Sequence, residues 1–259
     1  MTAHFPFEKL NRPDGEFVAY LGIPQKEKSK NNCEVVFCGG FMSDMSGTKA
    51  AFLRDLGVQE NFPVTTFDYY GHGLSSGEFT KGTISRWLED TLAIIDEVTS
   101  GPLILVGSSM GGWLMTLAAL RRPNRVKGLI GLASAPDFTE DLIWKELPEP
   151  TQNKLRTEGI IYTPSEYSEK GYPITRELIE DGRKNLILRH KIPLEIPIHL
   201  IHGTEDHDVS WKYSCKLMEK VESHNVTVSL VKGADHRLST PEDLRRLAKA
   251  IEDMQTFLK

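Results

Sequence analysis

The chain lacks the features that mark several protein classes. Its 259 residues hold only three cysteines, Cys33, Cys38 and Cys215, odd in number and without a CxxC pair, so neither a disulfide framework nor a Cys-rich metal site is expected. Cys33 and Cys38 fall in a predicted strand, where small apolar residues are ordinary. Positive charge is not in excess. The 31 Lys and Arg face 36 Asp and Glu, a formal charge of -5, so the basic face that nucleic acid or an anionic membrane needs is missing. No apolar run approaches the roughly 18 residues of a spanning helix, and no stable membrane insertion is expected. The opening MTAHFPFEKLNRPDGEF has neither a basic segment followed by an apolar core nor an Arg-rich bias. A cytoplasmic protein acting on a neutral or modestly charged small-molecule partner is therefore expected, without cofactor; composition carries no information on oligomeric state. Asn225-Val-Thr227 fits the glycosylation pattern, but it lies in a predicted strand and is read as unmodified.

What is present is a regular alternation. Glu16 to Leu21, after the turn residues Pro13-Asp14-Gly15, reads as the second arm of a hairpin. Short apolar, mostly β-branched runs follow at 33–38, 63–68, 103–107, 126–133, 196–202 and 226–231. Strands buried on both faces read this way. Helical patterns lie between them at 48–57, 82–99, 110–121, 211–222 and 240–258. The pattern predicts one α/β domain over 1–259 with a mostly parallel, doubly wound sheet. One interval breaks the rhythm: about 60 residues separate the strands ending near Ala133 and starting near Ile196, far beyond an ordinary connection. This proline-rich stretch, 136–195, carries short helical patterns at 139–146, 151–157, 165–170 and 174–189, and is expected to form a small helical cap.

The chemistry-bearing residues sit at strand ends. Ser109 lies in Gly107-Ser-Ser-Met-Gly111, after a predicted strand and before an amphipathic helix. On such a tight turn the serine adopts a strained backbone and projects above the sheet edge, which suits a nucleophile. Ser108, without glycines at both flanks, reads as a packing neighbour. The N–H after the nucleophile, Met110, is one expected oxyanion donor; the other is expected from the loop after 33–38, with Phe41 first and Met42 second. Asp68-Tyr-Tyr-Gly-His-Gly-Leu-Ser75 reads as a structural turn under the site, and His72 precedes the nucleophile in the wrong loop for a base.

A serine nucleophile needs a histidine to take its proton and a carboxylate to orient that histidine, in the order Ser, Asp or Glu, His. His236, directly after the last predicted strand, fits the base. The acid lies in His202-Gly-Thr-Glu-Asp-His-Asp208; Asp206 has the expected register, with Asp208 and Glu205 as alternatives. A zinc site in this stretch would need a histidine at 204, where the chain has Thr204. His202 and His207 then read as a strand-end histidine and a solvated loop residue.

With these residues in hand, the chain resembles the α/β-hydrolase superfamily, and within it the branch of palmitoyl-protein thioesterases and acyl-glucuronide esterases with their bacterial relatives. The stretches that carry the likeness are GGFMSDMSGTKA (39–50), FDYYGHGLSSG (67–77), GSSMGGWL (107–114), YTPSEYSEKG (162–171), HGTEDHDVSW (202–211) and DHRLS (235–239). The resemblance implies an α/β-hydrolase fold, a Ser109, Asp206 and His236 triad, and hydrolysis of an ester or thioester. Two prolines common in that pattern are absent, with Gly39 before Gly40 and Ser210 after Val209. Phe41, Met42, Met45, Trp113, Trp144 and Tyr162 are expected to line an acyl pocket under the cap. The rival readings are a non-enzymatic small-ligand receptor on the same fold, a serine peptidase, and a metallohydrolase.

Overall fold

The computed structural model describes residues 7–24, 32–165 and 168–259. Its frame is an eight-stranded sheet. The strands are β1 Glu8–Asn11, β2 Phe17–Ile23, β3 Glu34–Cys38, β4 Val64–Phe67, β5 Leu103–Ser108, β6 Val126–Leu132, β9 Ile198–Gly203 and β10 Val226–Val231, in the order β1-β2-β4-β3-β5-β6-β9-β10. β1 and β2 pair antiparallel as the predicted hairpin, β2 pairs antiparallel with β4, and β4, β3, β5, β6, β9 and β10 run parallel.

Alternation along the strands decides which helix packs where. On β3, Val36 faces one core with α2 Ile84–Ala93 and α3 Met110–Arg121, through Trp87, Leu88, Trp113 and Leu114. Val35 and Phe37 face the other core with α1 Thr48–Glu60 and α7 Pro241–Phe257, through Leu53, Leu247 and Ile251. Every residue of β5 is buried, as a central strand covered on both faces must be. Burying each large aliphatic side chain contributes about 1.5–3 kcal/mol, which offsets the chain entropy lost on ordering these elements. Local signals set the helix starts: Thr83 accepts the Arg86 N–H at 3.2 Å, and Thr240 with Asp243 forms a reciprocal cap on α7. The predicted helix 82–99 is shorter than expected, since α2 gives way to one wide π turn over Ile94–Val98.

The segment between β6 and β9 is not wholly helical. It holds a π turn Thr139–Ile143, a 3-10 turn Trp144–Glu146, α4 Glu149–Glu158, strands β7 Ile160–Ser165 and β8 Ser168–Thr175, and α5 Arg176–Lys184. Where a helix was expected at 165–170, Ser165 ends β7 and Ser168 begins β8, paired antiparallel with each other; Glu166 and Tyr167 lie outside the described residues. Ile161 pairs with Ile174 and both are buried, so they join Leu155 and Ile179 in a small core of this segment's own. A period-two apolar pair won over the short helical pattern. The two ends of the segment are tied to each other by Asp137, whose carboxylate accepts the Ile187 and Leu188 N–H groups at 2.8 and 3.0 Å, and by two Arg189 bonds to Asp141 at 2.9 and 2.6 Å. α6 Lys212–Lys220 completes the chain between β9 and β10.

Candidate active site

β5 runs directly into Ser109, which has φ 53 and ψ -117, a conformation that costs a serine about 1–3 kcal/mol. The strain is held by close packing. A Cβ at Gly111 would run into the Cys38 carbonyl, so only glycine lets α3 lie this near β3. The Ser109 carbonyl accepts the Gly112 and Ala135 N–H groups at 2.9 and 3.0 Å, and its own N–H reaches Leu132 at 2.9 Å. Ser109 Oγ is thereby lifted to the rim of a cavity of about 580 Å³. Ser108, read as a packing residue, is buried but also lines that cavity.

His236 and Asp206 come from the two following loops, which are zipped together. Thr204 N–H donates to Val231 at 2.9 Å, Glu205 N–H to Ala234 at 3.0 Å, and Gly233 N–H to Thr204 Oγ1 at 2.9 Å. A side chain at Gly203 would strike the Ala234 carbonyl, which explains the glycine in the HGTEDHD stretch. The result is a continuous line: Ser109 Oγ to His236 Nε2 at 3.1 Å, and His236 Nδ1 to Asp206 Oδ2 at 2.7 Å. Asp206 Oδ1 accepts the Asp208 and Val209 N–H groups at 3.0 and 2.7 Å, and Oδ2 also accepts from His202 Nε2 at 3.0 Å. Burial opposes ionisation of Asp206, but the bonds from His202 and His236 outweigh it and hold the carboxyl well below the usual carboxylate range. Lys49, in the first turn of α1, donates to the Arg237 carbonyl at 2.5 Å and to Ser239 Oγ at 3.3 Å, tying down the histidine loop; burial pulls its ammonium down to about 8.

The loop after β3 supplies the other wall. Met42 has φ 59, and its N–H donates to His72 Nε2 at 3.3 Å, so it is committed. The Phe41 and Met110 N–H groups have no hydrogen-bond partner among the described residues. His72 is buried, its Nδ1–H donates to Tyr70 at 3.1 Å, and burial pushes its imidazole down to about 4. The Asp68 turn is structural as expected: its carboxylate accepts the Met45 N–H at 2.6 Å and the Leu74 N–H at 2.8 Å.

The expected pocket residues divide. Phe41 and Met42 line the cavity; Trp113, Trp144, Tyr162 and Met45 do not. Trp113 is fully buried edge-on to Phe138, its indole N–H bound to the Asn185 carbonyl at 3.0 Å. Trp144 lies between the Arg156 and Arg183 guanidinium groups at 4.8 and 4.7 Å, Tyr162 is 62% exposed on the outer face of its hairpin, and Met45 is buried beneath the Asp68 turn. In their place Phe138, Leu142, Ile143, Leu147, Tyr172 and Ile174 give the cavity an apolar wall. Asp206, Asp208 and His236 offer ligand atoms within 4.8 Å of one another. A metal does not fit there, because four donors already occupy the Asp206 carboxylate, about its full acceptor capacity.

The parallel sheet, the strained serine between strand and helix, and the Ser109, His236 and Asp206 line define an α/β hydrolase. The chain belongs to the α/β-hydrolase family: the family model described as serine aminopeptidase, S33, matches residues 29–159. It is 37% identical over 246 residues, 95% of this chain and 78% of the relative, to the palmitoyl-protein thioesterase ABHD10, mitochondrial, of Homo sapiens. Among solved structures it is similar to α/β-hydrolase domain-containing protein 10 from mouse, with TM-score 0.89 and 34% identity over 98% of this chain and 100% of that one. A putative hydrolase from Agrobacterium vitis S4 matches with TM-score 0.90 and 37% identity over 96% and 99% of the two chains. The protein is a hydrolase, in agreement with the expected ester or thioester chemistry. The expectation of a cytoplasmic protein is corrected, because the relatives that match 95% of the chain are named mitochondrial. The reading rested on the character of the first residues, which says little about compartment. Among the described residues no helix is long and apolar enough to cross a membrane.

Proposed function

We propose that this chain cleaves carboxylic esters or thioesters of apolar acyl groups through a serine-bound acyl intermediate, with Ser109 as nucleophile, His236 as base and Asp206 as its orienting acid. The observation that carries the reading is the uninterrupted line from Ser109 Oγ at 3.1 Å to His236 and on at 2.7 Å to Asp206, opening on a cavity with an apolar wall. His236 Nε2 takes the serine proton as Oγ bonds to the acyl carbon. The oxyanion is met by the Phe41 and Met110 N–H groups, at the end of α3 where the helix dipole is positive. The intermediate collapses by breaking the bond to the leaving sulfur or oxygen, which receives the proton from His236. Water then repeats the sequence, its proton passing to His236 and its oxygen to the acyl carbon, and Ser109 is released.

Residues 136–195 act as a cap within a single domain, and the acyl chain lies along Phe138, Leu142, Ile143 and Leu147. The thioesterase named for the human relative supports an S-acyl substrate. Acyl thioesters and esters of graded chain length, assayed on purified protein, test the reading. Rising kcat/KM with chain length is expected; no trend with chain length contradicts the acyl assignment.

A further inference from the structure

The proposed chemistry leaves His202 without a task, yet its side chain is fully buried and shares one oxygen of Asp206 with His236. His202 Nε2 faces two acceptors, Asp206 Oδ2 at 3.0 Å and the Val209 carbonyl at 2.9 Å, so it carries a hydrogen. Nδ1 lies 2.7 Å from the hydroxyl of Ser214, itself buried on α6, and in the neutral ring it accepts that O–H. One tautomer satisfies every contact. A residue serving only to fill space would not need both ring nitrogens desolvated and paired.

We infer that His202 is a positioning residue for hydrolysis: from behind the acid it holds Asp206 Oδ2 toward His236 and sets how strongly that carboxylate attracts the imidazolium. The inference rests on the triad reading above. A carboxylate oxygen sharing its charge between two N–H donors pulls less on each than one bound to a single donor. Removing the His202 donor therefore concentrates charge on His236, raises the pH at which His236 loses its proton, and loosens its alignment. The other charged groups around the pair are Asp208 in the same loop, Asp235 and Arg237 on either side of His236, and Lys49 reaching over from α1. None of them hydrogen-bonds Asp206 through its side chain among the described contacts.

The test compares His202→Leu with His202→Gln, whose amide N–H keeps a donor near the same place. For His202→Leu, kcat/KM is expected to fall about ten- to a hundredfold with KM unchanged, and its acid limb to move to higher pH. His202→Gln should recover most of both. A folded His202→Leu with wild-type kcat and an unmoved acid limb overturns the inference, as does a loss of activity with no movement of the limb and no recovery by Gln. Should His202→Leu fail to fold, His202→Asn, whose shorter amide stands in for Nδ1 beside Ser214 and supplies no donor at the Nε2 position, must move the acid limb in the same direction; an unmoved limb overturns the inference. Fluorophosphonate labelling of Ser109 in the wild type is run alongside. No labelling removes the triad reading and this inference together, whereas labelling with an unmoved limb removes this inference alone.

Discussion

The Met42 N–H is bound to His72 Nε2 at 3.3 Å, which pins the loop after β3 from behind and takes Met42 out of contention as an oxyanion donor. His72 must stay neutral to accept that bond. Its pKa is pushed down to about 4 by burial, below an unfolded value near 6.5, so the unfolded chain binds a proton that the folded one refuses between these limits. Stability from this group is complete above about pH 6.5 and is lost as pH falls toward 4, by about 3 kcal/mol at most. The difference in unfolding free energy between wild type and His72→Leu should narrow over that window in urea titrations. Asp90, pushed up to about 6 by burial, has the opposite pH dependence, and the difference cancels it. A gap constant with pH would contradict the buried neutral histidine.

Asp206 and Asp208 make a second comparison. Only Asp206 touches His236, whereas Asp208 meets the acid through its backbone N–H at 3.0 Å. Asp206→Asn should cost about 10^4-fold in kcat by favouring the wrong histidine tautomer. Asp208→Asn should stay within about tenfold, the scale of one lost neighbouring charge. Equal losses in steady-state kinetics would return the acid to the alternatives.

Gly111 tests the packing that strains Ser109. Gly111→Ala must push α3 away from the Cys38 carbonyl, at a cost of about 1–3 kcal/mol or more, and shift Ser109 from His236. Lower melting temperature together with loss of activity is expected; an active, wild-type-stable variant would contradict the close approach.

The frame and the line of Ser109, His236 and Asp206 are legible in the sequence because their signals are local. Ser109, Asp206 and His236 each follow an apolar β-branched run, and the strand–turn–helix context around Gly107 to Gly111 fixes where a serine can project. The cap was less legible, since its hairpin depends on Ile161 and Ile174 meeting across a turn, a pairing that a short window does not reveal. The pocket was misread for a related reason. Trp113 and Trp144 carry the large apolar surface that a ligand site uses, but their polar contacts with Asn185, Arg156 and Arg183 draw them elsewhere. His202 and His72 were passed over as structural because their hydrogen bonds join residues through the fold, with His72 reaching back to Met42 and His202 reaching forward to Ser214.

The cavity wall gives a specificity prediction. Leu142→Trp narrows the apolar end while leaving Ser109 and His236 untouched, so chain-length preference should move to shorter acyl groups with short-ester turnover retained. Trp113→Phe, outside the cavity, should lower stability by about 1 kcal/mol through its lost bond to Asn185 and leave the preference unchanged. A chain-length profile altered by Trp113→Phe and not by Leu142→Trp would contradict the assigned wall.

Whether Ser109, in line with His236 and Asp206, is the nucleophile is read by fluorophosphonate labelling with mass-spectrometric site mapping, paired with acyl-thioester hydrolysis by wild type and Ser109→Ala. Labelling on Ser109 alone and a fall in kcat of about 10^6-fold in the variant are expected. Near wild-type hydrolysis by a folded Ser109→Ala, or labelling elsewhere, would contradict the assignment.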